Sequence, residues 1–125
     1  MAYEINLNAD GQIADIVLYN YVSLDELRTI NQHVMQTIDQ TPGKIAVLID
    51  VSRMNTGYYT VEHLRATQQY MYNQQVDAIV VVANNKLNRL IGMLGFNFTD
   101  LPFFQFDDSS QAYRHLEARG FLSSA

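Results

Sequence analysis

The chain has 125 residues, 48% hydrophobic and 17% charged, an ordinary globular balance at the usual size of one domain, which excludes a disordered chain and disfavours two domains. It has no cysteine, which excludes disulfides, thiolate zinc sites, iron–sulfur ligation and a cysteine nucleophile. The net charge is −5 with Lys and Arg scattered, residues 1–6 carry neither a basic region nor an apolar run, and apolar stretches such as 78–83 fall far short of the ~20 residues of a spanning helix; a soluble cytoplasmic protein without a nucleic-acid partner is expected.

Residues 3–8 alternate apolar and polar side chains, the pattern of a strand with one buried and one wet face. Asp10-Gly11 supplies a hairpin turn, and residues 13–19, dense in β-branched and aromatic side chains, are expected to pair back antiparallel. Ser23 followed by Glu26 is a capping box, after which Leu24, Leu27, Ile30, Val34 and Ile38 recur at helical spacing until Pro42-Gly43.

Residues 44–51 contain the unbroken run Ile45-Ala46-Val47-Leu48-Ile49, suited to a central strand buried on both faces. A polar loop follows, and Thr60 can cap a second helix carrying Val61, Leu64 and Met71 inward. Residues 77–83 form another buried strand ended by Asn84-Asn85, parallel to the first through a right-handed crossover. Leu87, Leu90, Ile91 and Leu94 suggest a short third helix ending at Gly95. Residues 102–106 read as a short aromatic strand, and Asp108 with Gln111 as a capping pair before a last helix with Ala112, Tyr113 and Leu116, closed by Gly120. The predicted order is β-β-α-β-α-β-α-β-α: one α/β domain over 1–125, a mixed sheet of about five strands with an N-terminal hairpin, its helices mainly on one face.

This order resembles the STAS family of sulfate-transporter and anti-sigma-factor-antagonist domains, and its SpoIIAA-like branch in particular. The likeness spans nearly the whole chain and rests on the opening hairpin, the strand 45–52, the helix after it, and Phe103-Phe104-Gln105-Phe106 followed by the helix with Ala112 and Leu116. It implies a non-enzymatic regulatory module that binds a protein partner, of the anti-sigma factor or kinase kind. In antagonist members the loop after the central strand carries an Asp-Ser pair whose serine a partner kinase phosphorylates. Here residues 50–60 lack that pair; Thr56 before Gly57 is the nearest hydroxyl by position, and Ser52 and Thr60 are other candidate acceptors. A phosphate near a helix N-terminus finds favourable dipole and amide geometry.

The partner-binding surface implied is Ser52, Asn55, Thr56, Tyr58, Tyr59 and His63, with Thr56 and Ser52 as candidate phosphoacceptors. Asp50 stands where a buried strand leaves the sheet, a place for ligand or catalytic groups in α/β folds, but it has no evident acid or base partner and is expected to hydrogen-bond the following turn. His33, His63 and His115 lie in three different predicted helices without i, i+4 pairing, so no metal site is expected; His33 and His115 are read as solvent-facing. Tyr58, Tyr59, Tyr70 and Tyr72 suit either an interface or edge packing. The stretch 84–89 lacks the glycines of a phosphate loop, and no Walker loop, nucleophile elbow, dinucleotide fingerprint or zinc-protease helix occurs. No cofactor is expected.

A rival reading is a small-ligand or lipid-binding domain using Met93, Phe96 and Phe98 in an apolar connection beside the aromatic strand. Symmetric homodimerisation fits a small domain with apolar helices. An enzyme would require a cleft with at least two titratable groups converging near Asp50.

Overall fold

The computed structural model describes residues 3–6, 12–20, 23–40, 43–54, 74–83 and 103–121. They form one five-stranded mixed sheet, in spatial order β1 (Tyr3–Asn6), β2 (Ile13–Asn20), β3 (Ile45–Met54), β4 (Val76–Val82) and β5 (Phe103–Phe106), with helices α1 (Leu24–Asp39) and α2 (Ser109–Ala118). β1 and β2 pair antiparallel, whereas the β2–β3, β3–β4 and β4–β5 pairings are all parallel. The two apolar runs are therefore neighbouring interior strands, where every residue meets protein on both sides. The expected short third helix and the helix after β3 lie outside the described residues.

Alternation along the strands sorts the sheet into two cores. Ala14, Ile16 and Leu18 of β2, with Ile45, Val47 and Ile49 of β3 and Ile79 and Val81 of β4, pack beneath Leu27, Ile30, Val34 and Ile38 of α1. The opposite face, with Ile13, Ala46, Leu48, Ala78, Val80 and Val82, packs against Ala112 and Leu116 of α2 and against Phe121. The two described helices thus take opposite faces. The reason lies in the sequence itself: a strand apolar at every position has two faces to bury, and each needs a cover. A register shift between Ile45 and Ala46 pairs these residues with Val76 and Ala78. Asp77 is the residue passed over, and the bulge leaves it exposed inside an otherwise buried strand.

Local signals set the helix ends. Ser23 Oγ accepts from the Glu26 amide at 3.1 Å while Glu26 Oε1 accepts from the Ser23 amide at 3.2 Å, the reciprocal capping box of α1. Asp108 caps α2 by accepting from the Gln111 amide at 2.9 Å. Behind α2, Gly120 adopts φ +93, a conformation that a Cβ disfavours, and the Phe121 amide turns back to the Leu116 carbonyl at 3.0 Å. Phe121 is thereby folded onto the α2 core. On α1, Asn31 is the one buried polar residue among those described, and its Oδ1 has no hydrogen-bond partner among them.

Candidate functional site

β3 runs through Ser52 to Met54, so Ser52 belongs to the strand and not to the loop expected after Val51. The register explains how it does so. Val17 pairs with Asp50 and Tyr19 with Arg53, so a single residue of β2, Leu18, stands opposite two of β3, Val51 and Ser52. This extra residue is a β-bulge, which takes a backbone group out of the ladder. Asp50 satisfies it: its Oδ1 accepts from the Ser52 amide at 2.9 Å and from the Ser52 hydroxyl at 2.5 Å. Asp50 was expected to hydrogen-bond the following turn; its partner is instead Ser52, two residues on and still within β3, so the contact holds the strand's bulge.

The bulge also re-aims the next side chain. Without it Arg53 would alternate to the α1 face; with it Arg53 pairs with Tyr19, and its guanidinium sits 5.7 Å from that ring centre. Tyr19 shares a face with Ile13, Asp15 and Val17, because they are two residues apart on one strand. A polar surface therefore continues the α2 face past the helix. It comprises Asp15 and Tyr19 from β2, Asp50 and Arg53 from β3 and, by register with Val17, Glu4 from β1.

Asp15 is the most perturbed acid of this surface. It is half-buried, and the Tyr113 hydroxyl of α2 donates to its Oδ2 at 2.5 Å across 98 positions of sequence. Burial pushes its carboxyl above the ordinary range; the Tyr113 bond opposes this, and the negative charges of Asp50 and Glu4 add to it. Burial and the same carboxylate raise the Tyr113 phenol as well. Asp50 and Asp15 already have partners in the fold: Ser52 holds Asp50, and Tyr113 holds Asp15. The arrangement fastens α2 to β2 and fixes the β3 exit. It converges carboxylates near Asp50 without leaving either one unengaged.

The histidines divide. His33 is exposed, as expected, though its Nδ1 lies 2.7 Å from the Tyr3 hydroxyl and so ties α1 to β1. His115 departs from the solvent-facing expectation. Its ring lies 4.2 Å from Phe104 and 5.2 Å from Phe106, measured between centres, and is partly buried between α2 and β5. The cause is the fourfold helical spacing that stacks it over Gln111 and Arg119 while the aromatic strand runs alongside. Among the described residues no three metal-binding side chains come together.

Of the partner-binding residues read from the sequence, Ser52 is described and lies half-buried beside the acidic surface. Asn55, Thr56, Tyr58, Tyr59 and His63 lie outside the described residues, as do Met93, Phe96 and Phe98 of the rival reading. Asp15, Tyr113 and Arg53 were not singled out by sequence. A signal existed for Asp15: in a strand otherwise apolar on alternate positions, a carboxylate between Ile13 and Val17 is the exception that needs a partner.

A hairpin-led mixed sheet with three successive parallel pairings and a helix on each face defines the class, an α/β domain of STAS architecture. The SpoIIAA-like family model matches residues 13–117, and the chain belongs to that family. It is similar to the crystal structure of an uncharacterised DUF3478-family protein with a SpoIIAA-like fold from Shewanella loihica PV-4. The TM-score is 0.65 at 13% identity, over 92% of each chain. It is also similar to the anti-sigma factor antagonist SpoIIAA in its unphosphorylated form, with TM-score 0.60 at 12% identity, over 95% of this chain and 99% of that one. No curated protein matches it in sequence. At these identities the structural likeness speaks for the fold. Among the described residues no helix is long and apolar enough to cross a membrane.

Proposed function

We propose that the chain is a non-enzymatic regulatory module, a single domain over 1–125 acting in the cytoplasm, that binds a protein partner through the end of β3 and the segment after it. The observation that carries this reading is the Val51–Ser52 bulge held by Asp50, which gives the chain a fixed exit direction from the centre of the sheet. Strand ends and the loops that follow them are where α/β scaffolds present recognition residues. The contact residues are Ser52, Asn55, Thr56, Tyr58, Tyr59 and His63. The partner is of the anti-sigma factor or kinase kind, a reading supported by the likeness to SpoIIAA, an anti-sigma factor antagonist.

Thr56 and Ser52 are the candidate phosphoacceptors, and they would act differently. Phosphate on Ser52 would replace its bond to Asp50 by like-charge repulsion and loosen the bulge. Phosphate on Thr56 would alter the contact surface directly. The test is affinity capture with the full chain, comparing wild type with Thr56→Glu, Tyr59→Lys and, as a control on the exposed side of α1, Gln32→Lys. The expected result is a partner retained by wild type and Gln32→Lys and lost by the other two. Equal recovery of every partner by all four proteins would refute the surface.

A further inference from the structure

We propose that His115 is an acid-sensitive latch for the last helix: neutral, it holds α2 against β5; protonated, it releases the helix and bares Phe104 and Phe106. The imidazole is packed against two phenyl rings, and its Nε2 is buried with no hydrogen-bond partner among the described residues. A neutral ring tolerates this by carrying its proton on Nδ1, leaving Nε2 as an unused acceptor. An imidazolium must carry a proton on both nitrogens, and the second N–H would find no acceptor among the described residues. The face of Phe104, the nearer of the two rings, does not rescue the cation, because the Arg119 guanidinium already sits 5.0 Å from its centre. A second positive charge on the same ring meets that one. Burial and then Arg119 accordingly hold the imidazole below its ordinary range.

The charged groups around α2 leave this sign intact. β5 presents Phe104 and Phe106, β4 presents Ala78, Val80 and Val82, and β3 presents Ala46, Leu48 and Asp50, whose carboxylate bonds Ser52. Lys44 lies over Phe121 at the helix's far end. On α2 and its ends Asp107, Asp108, Arg114, Glu117 and Arg119 are exposed. β2 contributes Asp15 through Tyr113. Asp15 responds to acid with the opposite sign, since protonation relieves its burial. It subtracts from the loosening and does not mimic it. The contribution of neutral His115 to stability is complete above the ordinary imidazole pKa and is lost as the pH falls below it, because the open helix takes up a proton that the docked helix resists.

The experiment is hydrogen exchange on the full chain at pH 7.5 and 5.5, corrected for the intrinsic exchange rate. In the wild type, the opening of amides in 112–121 is expected to rise about three- to tenfold on acidification relative to amides of β3 and β4, about tenfold being the ceiling because pH 5.5 lies one unit below the ordinary imidazole value of 6.5. His115→Gln and His115→Phe, uncharged throughout, should show no such rise. A wild-type opening independent of pH, a rise shared equally by β3 and β4, or a rise that survives in the variants would overturn the latch. Should His115→Phe fail to fold, His115→Gln decides. Should both fail, the wild-type imidazole followed by NMR decides: titration at or above the ordinary histidine range refutes the proposal.

Discussion

The two faces of the sheet are built on different principles. Beneath α1 the described core is aliphatic apart from Tyr3 and the buried Asn31 of the helix, and its cover is a sixteen-residue helix with a reciprocal capping box. Beneath α2 the cover is a ten-residue helix, and aliphatic packing by Ala112 and Leu116 is supplemented by polar and aromatic fastenings at its flanks. Tyr113 reaches Asp15 on one side, and His115 lies against Phe104 and Phe106 on the other. Apolar burial is indifferent to pH; a carboxylate–phenol bond and a buried imidazole are not. The α1 face therefore rests mainly on apolar burial, with His33 as its one titratable tie to β1 among the described residues, and the α2 face carries more of the groups by which conditions can alter stability.

The largest effect that tests this contrast is a truncation under α1. Ile38 is fully buried at the end of its stripe, and Ile38→Ala removes three methyl or methylene carbons' worth of packing in a site closed by the sheet. The expected loss is about 2–5 kcal/mol by urea unfolding, enough to remove a large share of the stability of a domain this size. The loss should be the same at pH 7.5 and 5.5. A pH-dependent loss would show that the α1 face is coupled to titrating groups and would break the comparison.

Tyr113→Phe is the corresponding cut on the other face and sharpens the comparison. It removes the donor to a half-buried carboxylate while leaving the ring in place. The expected destabilisation is about 1 kcal/mol, at the low end for an orphaned polar group because Asp15 keeps some contact with water. The loss should localise to α2 in hydrogen exchange, with α1 protection unchanged. Uniform loss across both helices would mean that the two faces unfold as one unit.

The contrast also explains what could be read from the sequence. The described elements and their order were legible because they rest on periodicity: the stripe of Leu27, Ile30, Val34 and Ile38, the capping box at Ser23, and two unbroken apolar runs that suit interior strands. The local reach of Asp50 was legible too, since Asp bonds the backbone two residues on. The bulge at Val51–Ser52 was not. It arises from a register mismatch between β2 and β3, a relation between segments some thirty residues apart that leaves no trace in either alone. The same holds for Asp15 with Tyr113. His115 was misjudged for a related reason, because its polar neighbours along the helix say nothing of the aromatic strand that covers it.

The smallest effect is the most discriminating for the acidic surface. Asp15 has its carboxyl raised by burial, against the pull of Tyr113, with Asp50 and Glu4 adding to the rise. A group whose folded pKa is raised contributes stability that is complete below its unfolded value, near 3.8, and is lost as the pH climbs through the folded value. At neutral pH the ionised carboxylate is therefore a net liability. Asp15→Asn keeps an oxygen for the Tyr113 hydroxyl and removes the charge, so it should stabilise the protein at pH 7 by a few tenths of a kcal/mol, a figure already reduced for solvent screening. The gain should shrink toward zero as the pH approaches 4, read as the shift in urea midpoint between the two proteins. A variant less stable than wild type at pH 7 would mean that the charge-assisted bond from Tyr113 outweighs burial. In that case the α2 face would be strengthened by its carboxylate, and the distinction between a stabilising face and an adjustable one would rest on His115 alone.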